Sequence, residues 1–382
     1  MKKIRVMSVF GTRPEAIKMA PLVKTLAERE DFESLCCLTG QHREMLDSVM
    51  DIFRLKADYD LNIMQKQQTL SSITTRTLLG METVLEEAKP DLVLVHGDTS
   101  TTFAGALAAF YRKIPVGHVE AGLRTYDKYS PYPEEMNRTL VGDLADLHFS
   151  PTAANAENLR KEAVSGEVFI TGNTVIDAMR TTVREDFRFA EPELNAMDFA
   201  NRRVIVLTCH RRENYGKPMH DILRAVRQIV VTHPEVEVVY PVHLSPVVRA
   251  CAKEELGDTE RVHLIDPIDV EQMHNLMARC HFVMTDSGGL QEEAPALGKP
   301  VLVLRRETER PEAVAAGTVK LAGVEYDEIV RMASELLEQP TVYHKMAQAV
   351  NPYGDGNACA RIADAIAWHF GNQETRPENF QP

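Results

Sequence analysis

Three carboxylates and a histidine stand where short apolar runs of this chain give out. Asp98 closes Val95-His96-Gly97-Asp98-Thr99 and Glu120 lies in Gly117-His118-Val119-Glu120-Ala121-Gly122. Glu134 follows the proline-stiffened stretch Tyr129-Ser130-Pro131-Tyr132-Pro133, and His210 opens His210-Arg211-Arg212-Glu213-Asn214. Carboxylates packed together raise the pKa of at least one member, so an acid and a base can coexist near neutral pH. The set therefore reads as acid–base chemistry. Asp, Glu and His are also metal ligands, but no H-E-x-x-H or comparable spacing occurs, and no metal is expected. Asp98 has a second reading, as N-cap of the Thr-rich helix that follows it. Two-residue alternation would put His118 and Glu120 on one face of a strand.

A second group of residues suits an anion. The apolar run His281-Phe282-Val283-Met284 ends in Thr285-Asp286-Ser287-Gly288-Gly289 and passes into a helical pattern. A strand that turns into a helix through Ser287, Gly288 and Gly289 presents backbone N–H groups and the positive end of the helix dipole, a site for phosphate. The plainer alternative is a tight turn with Ser287 as the cap. Glu293 lies about one and a half helical turns on, where its carboxylate could accept from sugar hydroxyls. Near the N-terminus the first apolar run empties into Gly11-Thr12-Arg13-Pro14-Glu15, with Pro14 suited to a first helical turn, Arg13 placed to meet an anion and Lys18 one turn later. A solvated helix start explains the same residues equally well. No Walker loop is present, and the one G-x-G candidate, Gly354-Asp355-Gly356, follows Pro352 instead of a strand. No nucleotide cofactor is expected.

These residues need a scaffold, and the hydrophobic pattern supplies one. Apolar runs at 4–10, 35–39, 92–95, 115–119, 147–150 and 168–171 read as strands, as do 204–208, 236–242, 262–265, 282–285, 300–304 and 319–321. Helix-length segments lie between them, among them 15–28, 70–88, 102–111, 221–232 and 327–338, with a last one at 360–370. Strands joined by helices imply parallel sheets covered on both faces. The stretch 184–203 is polar and aromatic without a clean period, and a domain junction falls there or just before. The expectation is an α/β protein of two Rossmann-like, doubly wound domains facing a cleft: 1–180, 181–355, and a closing helical segment 356–382. Ligands in such sheets sit beyond the carboxyl ends of the strands, where the residues named above cluster.

Composition excludes several classes of function. At 382 residues the chain exceeds one ordinary core, so two domains are expected. A net charge of −13 argues against a nucleic-acid partner. No apolar run approaches the roughly eighteen residues of a membrane span, and the charged N-terminus runs straight into a strand, so a cytoplasmic protein is expected. Six cysteines without a C-x-x-C pair form neither a disulfide framework nor a zinc knuckle.

Read together in order, the motifs resemble the non-hydrolysing UDP-N-acetylglucosamine 2-epimerases of bacteria. The matching pieces are Phe10-Gly11-Thr12-Arg13-Pro14-Glu15-Ala16-Ile17-Lys18, Gln41-His42-Arg43-Glu44-Met45-Leu46, His96-Gly97-Asp98-Thr99 and His118-Val119-Glu120-Ala121-Gly122-Leu123-Arg124-Thr125. They continue through Pro133-Glu134-Glu135, Thr171-Gly172-Asn173-Thr174, His210-Arg211-Arg212-Glu213, Asp286-Ser287-Gly288-Gly289, Glu292-Glu293-Ala294-Pro295 and Thr308-Glu309-Arg310-Pro311-Glu312-Ala313. The resemblance implies a glycosyltransferase-B type fold, with the catalytic acids on the first domain, UDP on the second, and a last helix packed back on the first. It implies inversion at C2 of UDP-N-acetylglucosamine without a cofactor. The catalytic set would be Asp98, Glu120, Glu134 and His210, leaving open which acid is the base. Arg13, Lys18, Ser287, Gly288, Gly289 and Arg310 would meet the nucleotide and diphosphate, and Glu293 the ribose. A second UDP-N-acetylglucosamine would act as activator at Gln41, His42, Glu44, Arg212 and His243, together with Glu134, and a homodimer is implied.

Three positions depart from the family pattern. Glu44 replaces a Gln and Gln67 an Arg found in bacterial relatives, and an acid facing a diphosphate weakens the activator reading. Pro267-Ile268-Asp269-Val270 stands where many relatives read Pro-Gln-Glu-Tyr, in a segment expected to touch uracil through backbone. A UDP-sugar glycosyltransferase of the same fold, a hydrolysing epimerase and a non-catalytic nucleotide-sugar sensor remain as alternatives.

Overall fold

A computed structural model of the chain describes residues 3–41, 43–65 and 67–382, apart from the side chains of residues 44 and 45. Two compact units emerge, Met1–Thr181 with Tyr353–Pro382, and Thr182–Pro352. The chain thus crosses between them at 181/182 and returns at 352/353, one residue later and three residues earlier than the boundaries read from the sequence. Each unit is a parallel α/β sheet, and together they make a fold of glycosyltransferase-B type.

The strands of the first unit are β1 (Ile4–Phe10), β2 (Phe32–Leu38), β3 (Tyr59–Asp60), β4 (Leu92–His96), β5 (Val116–Val119), β6 (Leu147–Ser150) and β7 (Glu167–Ile170). Their order is β3-β2-β1-β4-β5-β6-β7, with β1 pairing on one side with β2 (Val6 beside Ser34) and on the other with β4 (Val6 beside Leu92). Strand β4 is buried along its whole length, as its unbroken apolar run requires when helices cover both faces. On one face, Met19, Leu22 and Leu26 of the helix Arg13–Glu28 share a core with Ile362, Ala363 and Ile366 of the helix Ala358–His369. On the other, Met81 and Leu85 of the helix Leu70–Ala88 pack with Ala106 and Ala109 of the helix Ser100–Tyr111.

The second unit contains β8 (Arg203–Thr208), β9 (Val236–Pro241), β10 (Val262–Ile265), β11 (Phe282–Thr285), β12 (Val301–Val303) and β13 (Val319–Leu321), in the order β10-β9-β8-β11-β12-β13. Its aromatic lead-in is ordered: Phe187 stands edge-on to Phe189, which stacks on Phe199, and the Arg279 guanidinium caps Phe189. The short helix Pro192–Ala196 lies within this stretch and buries Leu194.

Most strands lie within a residue or two of the runs read from the sequence. The exceptions have physical causes. Strand β3 has two residues at a sheet edge, too few for any alternation to show. Helices begin earlier than their apolar stripes, at Arg13 and Lys217, because each carries a proline in its first two positions, where no N–H is needed.

Candidate active site

The two sheets reverse strand order between β1 and β4 and between β8 and β11, and at each reversal a buried carboxylate ties two turns together. In the first unit it is Glu15, only 3% exposed. One oxygen accepts from the backbone N–H groups of Gly11 (2.9 Å) and Thr12 (2.7 Å), in the turn after β1. The other accepts from the hydroxyls of Thr99 (2.7 Å) and Thr102 (2.9 Å), in the turn after β4. Two helix N-termini share one negative charge, the arrangement their dipoles favour. The turns so joined carry Arg13 and Asp98.

Asp98 does not cap the helix after it. Thr99 does, accepting from the Thr102 N–H at 3.1 Å. The Asp98 carboxylate is left to meet the Arg138 guanidinium at 2.6 Å, and its backbone carbonyl accepts from Asn137 Nδ2 at 2.9 Å. Both partners lie on the helix Glu134–Leu144, whose first residue is Glu134. Crowding by protein raises the Asp98 carboxyl from 3.8 to about 6; Arg138 opposes the shift, and the charges of Glu120 and Glu134 reinforce it. The next acid, Glu135, is buried and holds the backbone of Thr125 and Tyr126 (3.0 and 2.8 Å), so of this acidic pair Glu134 is the one that lines a cavity. Arg13, Gln41, Thr99 and Asn137 line the same cavity.

Glu120 follows β5 with φ 63°, a left-handed conformation that ends the alternation with His118. His118 is instead fully buried, its Nε2 2.7 Å from the Gly97 carbonyl, and burial pushes its pKa down to about 3. Glu120 Oε1 pairs with the Lys18 ammonium and accepts from Asn173 Nδ2 at 3.0 Å. Glu120 Oε2 lies 3.6 Å from Nε2 of His96, whose pKa burial lowers to about 4, so that the imidazole is neutral at pH 7. Gly97 leaves room here: it has φ 66°, and a Cβ on it would lie 3.5 Å from that same oxygen. Lys18, which the resemblance assigns to the diphosphate, has its ammonium on Glu120 in this structure.

In the second unit the tying carboxylate is Asp286, fully buried after β11. Its Oδ2 accepts from the N–H groups of His210 (2.7 Å) and Arg211 (2.8 Å) and from Asn214 Nδ2 (3.1 Å). His210 Nδ1 approaches Oδ1 to 3.3 Å without hydrogen-bond alignment, and its ring stacks on His243 with centroids 5.4 Å apart. Burial lowers the His210 pKa, Asp286 raises it, and His243 and Arg211 lower it further.

The turn Ser287-Gly288-Gly289 leads into the helix Leu290–Ala296 without a side-chain cap, so Ser287 is not the capping residue. Two guanidinium groups converge on it: a Cβ on Gly288 would lie 3.8 Å from Arg211 Nη2 and 3.9 Å from Arg310 Nη2. Arg310 is ion-paired with Glu292, and its N–H donates to Thr308 Oγ1 at 3.1 Å. Glu293 Oε2 lies 3.3 Å from Nε2 of the fully buried His274, whose Nδ1 is 2.7 Å from Thr182 Oγ1. Arg212, by contrast, points out on the short 3₁₀ turn Arg212–Asn214. His42 and the Glu44 side chain lie outside the described residues. Asp269 caps the helix Val270–Arg279 by accepting from Gln272 N at 2.9 Å, which gives the unusual Pro267–Val270 segment a structural role.

This constellation can be set beside known proteins. The chain matches the UDP-N-acetylglucosamine 2-epimerase family over residues 24–367. It is 55% identical over 381 residues to the UDP-N-acetylglucosamine 2-epimerase of Bacillus subtilis, covering 100% of this chain and 99% of that one. The chain belongs to the UDP-N-acetylglucosamine 2-epimerase family. Among solved structures, a Staphylococcus aureus MnaA–UDP co-structure superposes with TM-score 0.89 at 48% identity over 100% of both chains. A Neisseria meningitidis UDP-GlcNAc 2-epimerase bound to UDP-GlcNAc gives 0.85 at 49% identity, covering 95% of this chain and 99% of that one.

In this epimerase four residues carry site geometry that sequence reasoning did not single out. Glu15, Asp286 and Asn173 lay inside quoted motifs, but their partners lie 84, 75 and 53 positions away. Arg211 lay beside Arg212, which the resemblance assigns to the activator site, and the backbone turn that aims Arg211 at Gly288 is not visible in residue type. A grouping of metal-ligand type, His220 with Glu254 and Glu255, sits on the helices Lys217–Thr232 and Pro246–Leu256. Glu255 is taken by His220 (2.7 Å) and the Arg224 guanidinium (3.1 Å), a cation that opposes a metal. No helix among the described residues is long and apolar enough to cross a membrane.

Proposed function

We propose that this epimerase interconverts UDP-N-acetylglucosamine and UDP-N-acetylmannosamine without hydrolysis, through UDP and 2-acetamidoglucal held on the protein. The C2 proton is not beside a carbonyl carbon of the ring, so its direct removal is very unfavourable. When the anomeric C–O bond breaks, its electron pair leaves with UDP. The C2–H pair becomes the C1=C2 double bond, and the proton passes to a base. Re-addition of a UDP oxygen to C1, with protonation of C2 from the other face, gives the epimer with no net redox change.

The observation that carries this reading is the placement of Asp98, 2.6 Å from Arg138 on the helix that Glu134 begins. There burial raises its carboxyl to about 6 against the pull of Arg138, and the charges of Glu120 and Glu134 add to the rise. Proton transfer is fastest from groups whose pKa lies near the working pH. The second unit would meet the leaving diphosphate with Arg211, Arg310 and the Ser287-Gly288-Gly289 turn, which suits charge that grows as the C–O bond breaks. Glu293 would hold the ribose and His210 would stand beside the diphosphate. The ligands of the S. aureus and N. meningitidis relatives, UDP and UDP-GlcNAc, support this choice of substrate. A second UDP-GlcNAc would act as activator, supported by Gln41 lining the same cavity as Arg13 and Glu134. The product would serve the synthesis of surface polysaccharide.

Proton NMR of the EDTA-treated protein with UDP-N-acetylglucosamine in deuterated water tests the reading. Deuterium should enter C2 of a nucleotide-sugar pool that contains both epimers. Accumulation of free N-acetylmannosamine and UDP would identify a hydrolase, and no exchange would end the proposal.

A further inference from the structure

Asn173 has no role in the scheme above, yet its side chain touches the acid at the centre of it. It follows β7, and its backbone N–H donates to the Tyr353 carbonyl at 2.6 Å, where the chain returns to the first unit. Its side chain faces two ways. Oδ1 accepts from the Val175 N–H at 3.1 Å, at the start of the helix Thr174–Thr182, while Nδ2 donates to Glu120 Oε1 at 3.0 Å. Only 3% of Asn173 is exposed.

We propose that Asn173 is a positioning residue that fixes the Glu120 carboxylate for proton transfer, a statement that rests on the epimerase reading of Glu120. Glu120 leaves β5 in a left-handed conformation, so its carboxylate is oriented by side chains that reach it from other elements. The charged and titratable groups that face it include Lys18 from the helix Arg13–Glu28, His96 at the end of β4 and, through charge, Asp98 in the turn after β4. Lys18 supplies charge through a flexible stem, and His96 is neutral. The amide of Asn173 is a directional donor, itself held at its backbone and at Oδ1. It fixes the carboxylate plane where an ammonium cannot. Small misplacement of a reacting group costs rate steeply, about a hundredfold for 1 Å.

The two faces of the amide separate positioning from a merely structural role. Asn173→Ser and Asn173→Asp both keep an oxygen for the Val175 N–H, since Ser and Asp cap helices as well as Asn does. Both lose the donor to Glu120, and Asp adds a like charge beside it. Expected for Asn173→Ser is a fall in kcat of roughly ten- to a hundredfold with UDP affinity unchanged. Asn173→Asp should lose at least as much, and the acidic limb of its kcat/KM profile should move up by roughly one pH unit. C2 deuterium uptake should fall in parallel with kcat for both. If the unaltered protein exchanges at C2 while both variants keep its kcat and pH profile, the inference is overturned and the epimerase reading stands. If Asn173→Ser does not fold, the pH profile of Asn173→Asp decides alone. If the unaltered protein shows no exchange, the epimerase reading falls and this inference with it.

Discussion

Replacing Gly288 by alanine should affect stability and nucleotide affinity in opposite directions, and both magnitudes follow from the local geometry. Gly288 does not occupy a left-handed φ. A Cβ there would meet its nearest atoms, the Arg211 and Arg310 guanidinium nitrogens, at 3.8 and 3.9 Å, ordinary contact distances. The free protein therefore accommodates the methyl and gains about 0.4–1 kcal/mol from a less mobile unfolded chain. A phosphate oxygen approaching the backbone N–H groups of this turn would have to occupy the space the methyl takes. Losing one charge-assisted hydrogen bond costs about 1.5–3 kcal/mol, or roughly a 10- to 150-fold weaker UDP. Gly289→Ala provides a contrast, because its Cβ would lie 3.1 Å from Glu293 Oε1 and would displace that carboxylate even without ligand. Calorimetric titration with UDP beside urea unfolding reads both quantities. Unchanged UDP affinity in a stable Gly288→Ala protein would remove the diphosphate from this turn.

Three further outcomes are expected. Asp98→Asn should cut turnover by about 10²–10⁴-fold. The raised carboxyl makes protonation favour the fold: that contribution is full below about 3.8 and lost as pH rises through about 6. An asparagine cannot ionise, so the variant should gain on its parent by roughly 2–3 kcal/mol between pH 4 and 7 in urea unfolding; a pH-independent difference would contradict this. Glu15→Gln can satisfy both turns, with its carbonyl on Gly11 and Thr12 and its NH₂ on the two threonine hydroxyls, and should melt near its parent. Glu15→Ala orphans two buried N–H groups at about 1–3 kcal/mol each, and equal melting of the two variants would show that Glu15 does not tie the turns. Arg211→Ala and Arg310→Ala should each weaken UDP about tenfold or more and release 2-acetamidoglucal detectable by NMR, whereas an unaffected variant would place that guanidinium outside the site.

Much of the scaffold was legible because parallel strands buried on both faces are written as continuous apolar runs. The chemistry then had to lie at their ends, which is where Asp98, Glu120, His210 and the glycine turn were found. What stayed hidden was pairing. Nothing local says that Lys18 turns to Glu120, 102 positions away, when a diphosphate is an equally plausible partner for an ammonium. The choice of Thr99 over Asp98 as a cap depends on one residue of helix phase, which leaves the aspartate available to Arg138. Arg211 and Arg212 are indistinguishable by type, and the anchoring of Arg211 to Asp286, by its backbone N–H on the carboxylate and its Nε on the backbone carbonyl at 3.3 Å, directs its side chain toward Gly288.

The route of the chain sets an order of events during synthesis. The helix Arg13–Glu28 is made early, yet the helix Ala358–His369 that shares its core follows the whole of the second unit. At about 5–20 residues per second, the ribosome takes on the order of ten to thirty seconds to traverse 182–352. Throughout that interval Met19, Leu22 and Leu26 lack the Ile362 and Ile366 side chains that complete their core. The second unit, continuous in sequence, can close first. The first unit, although it begins first, is completed last, and in the meantime its uncovered apolar face is open to a chaperone or to a second nascent chain.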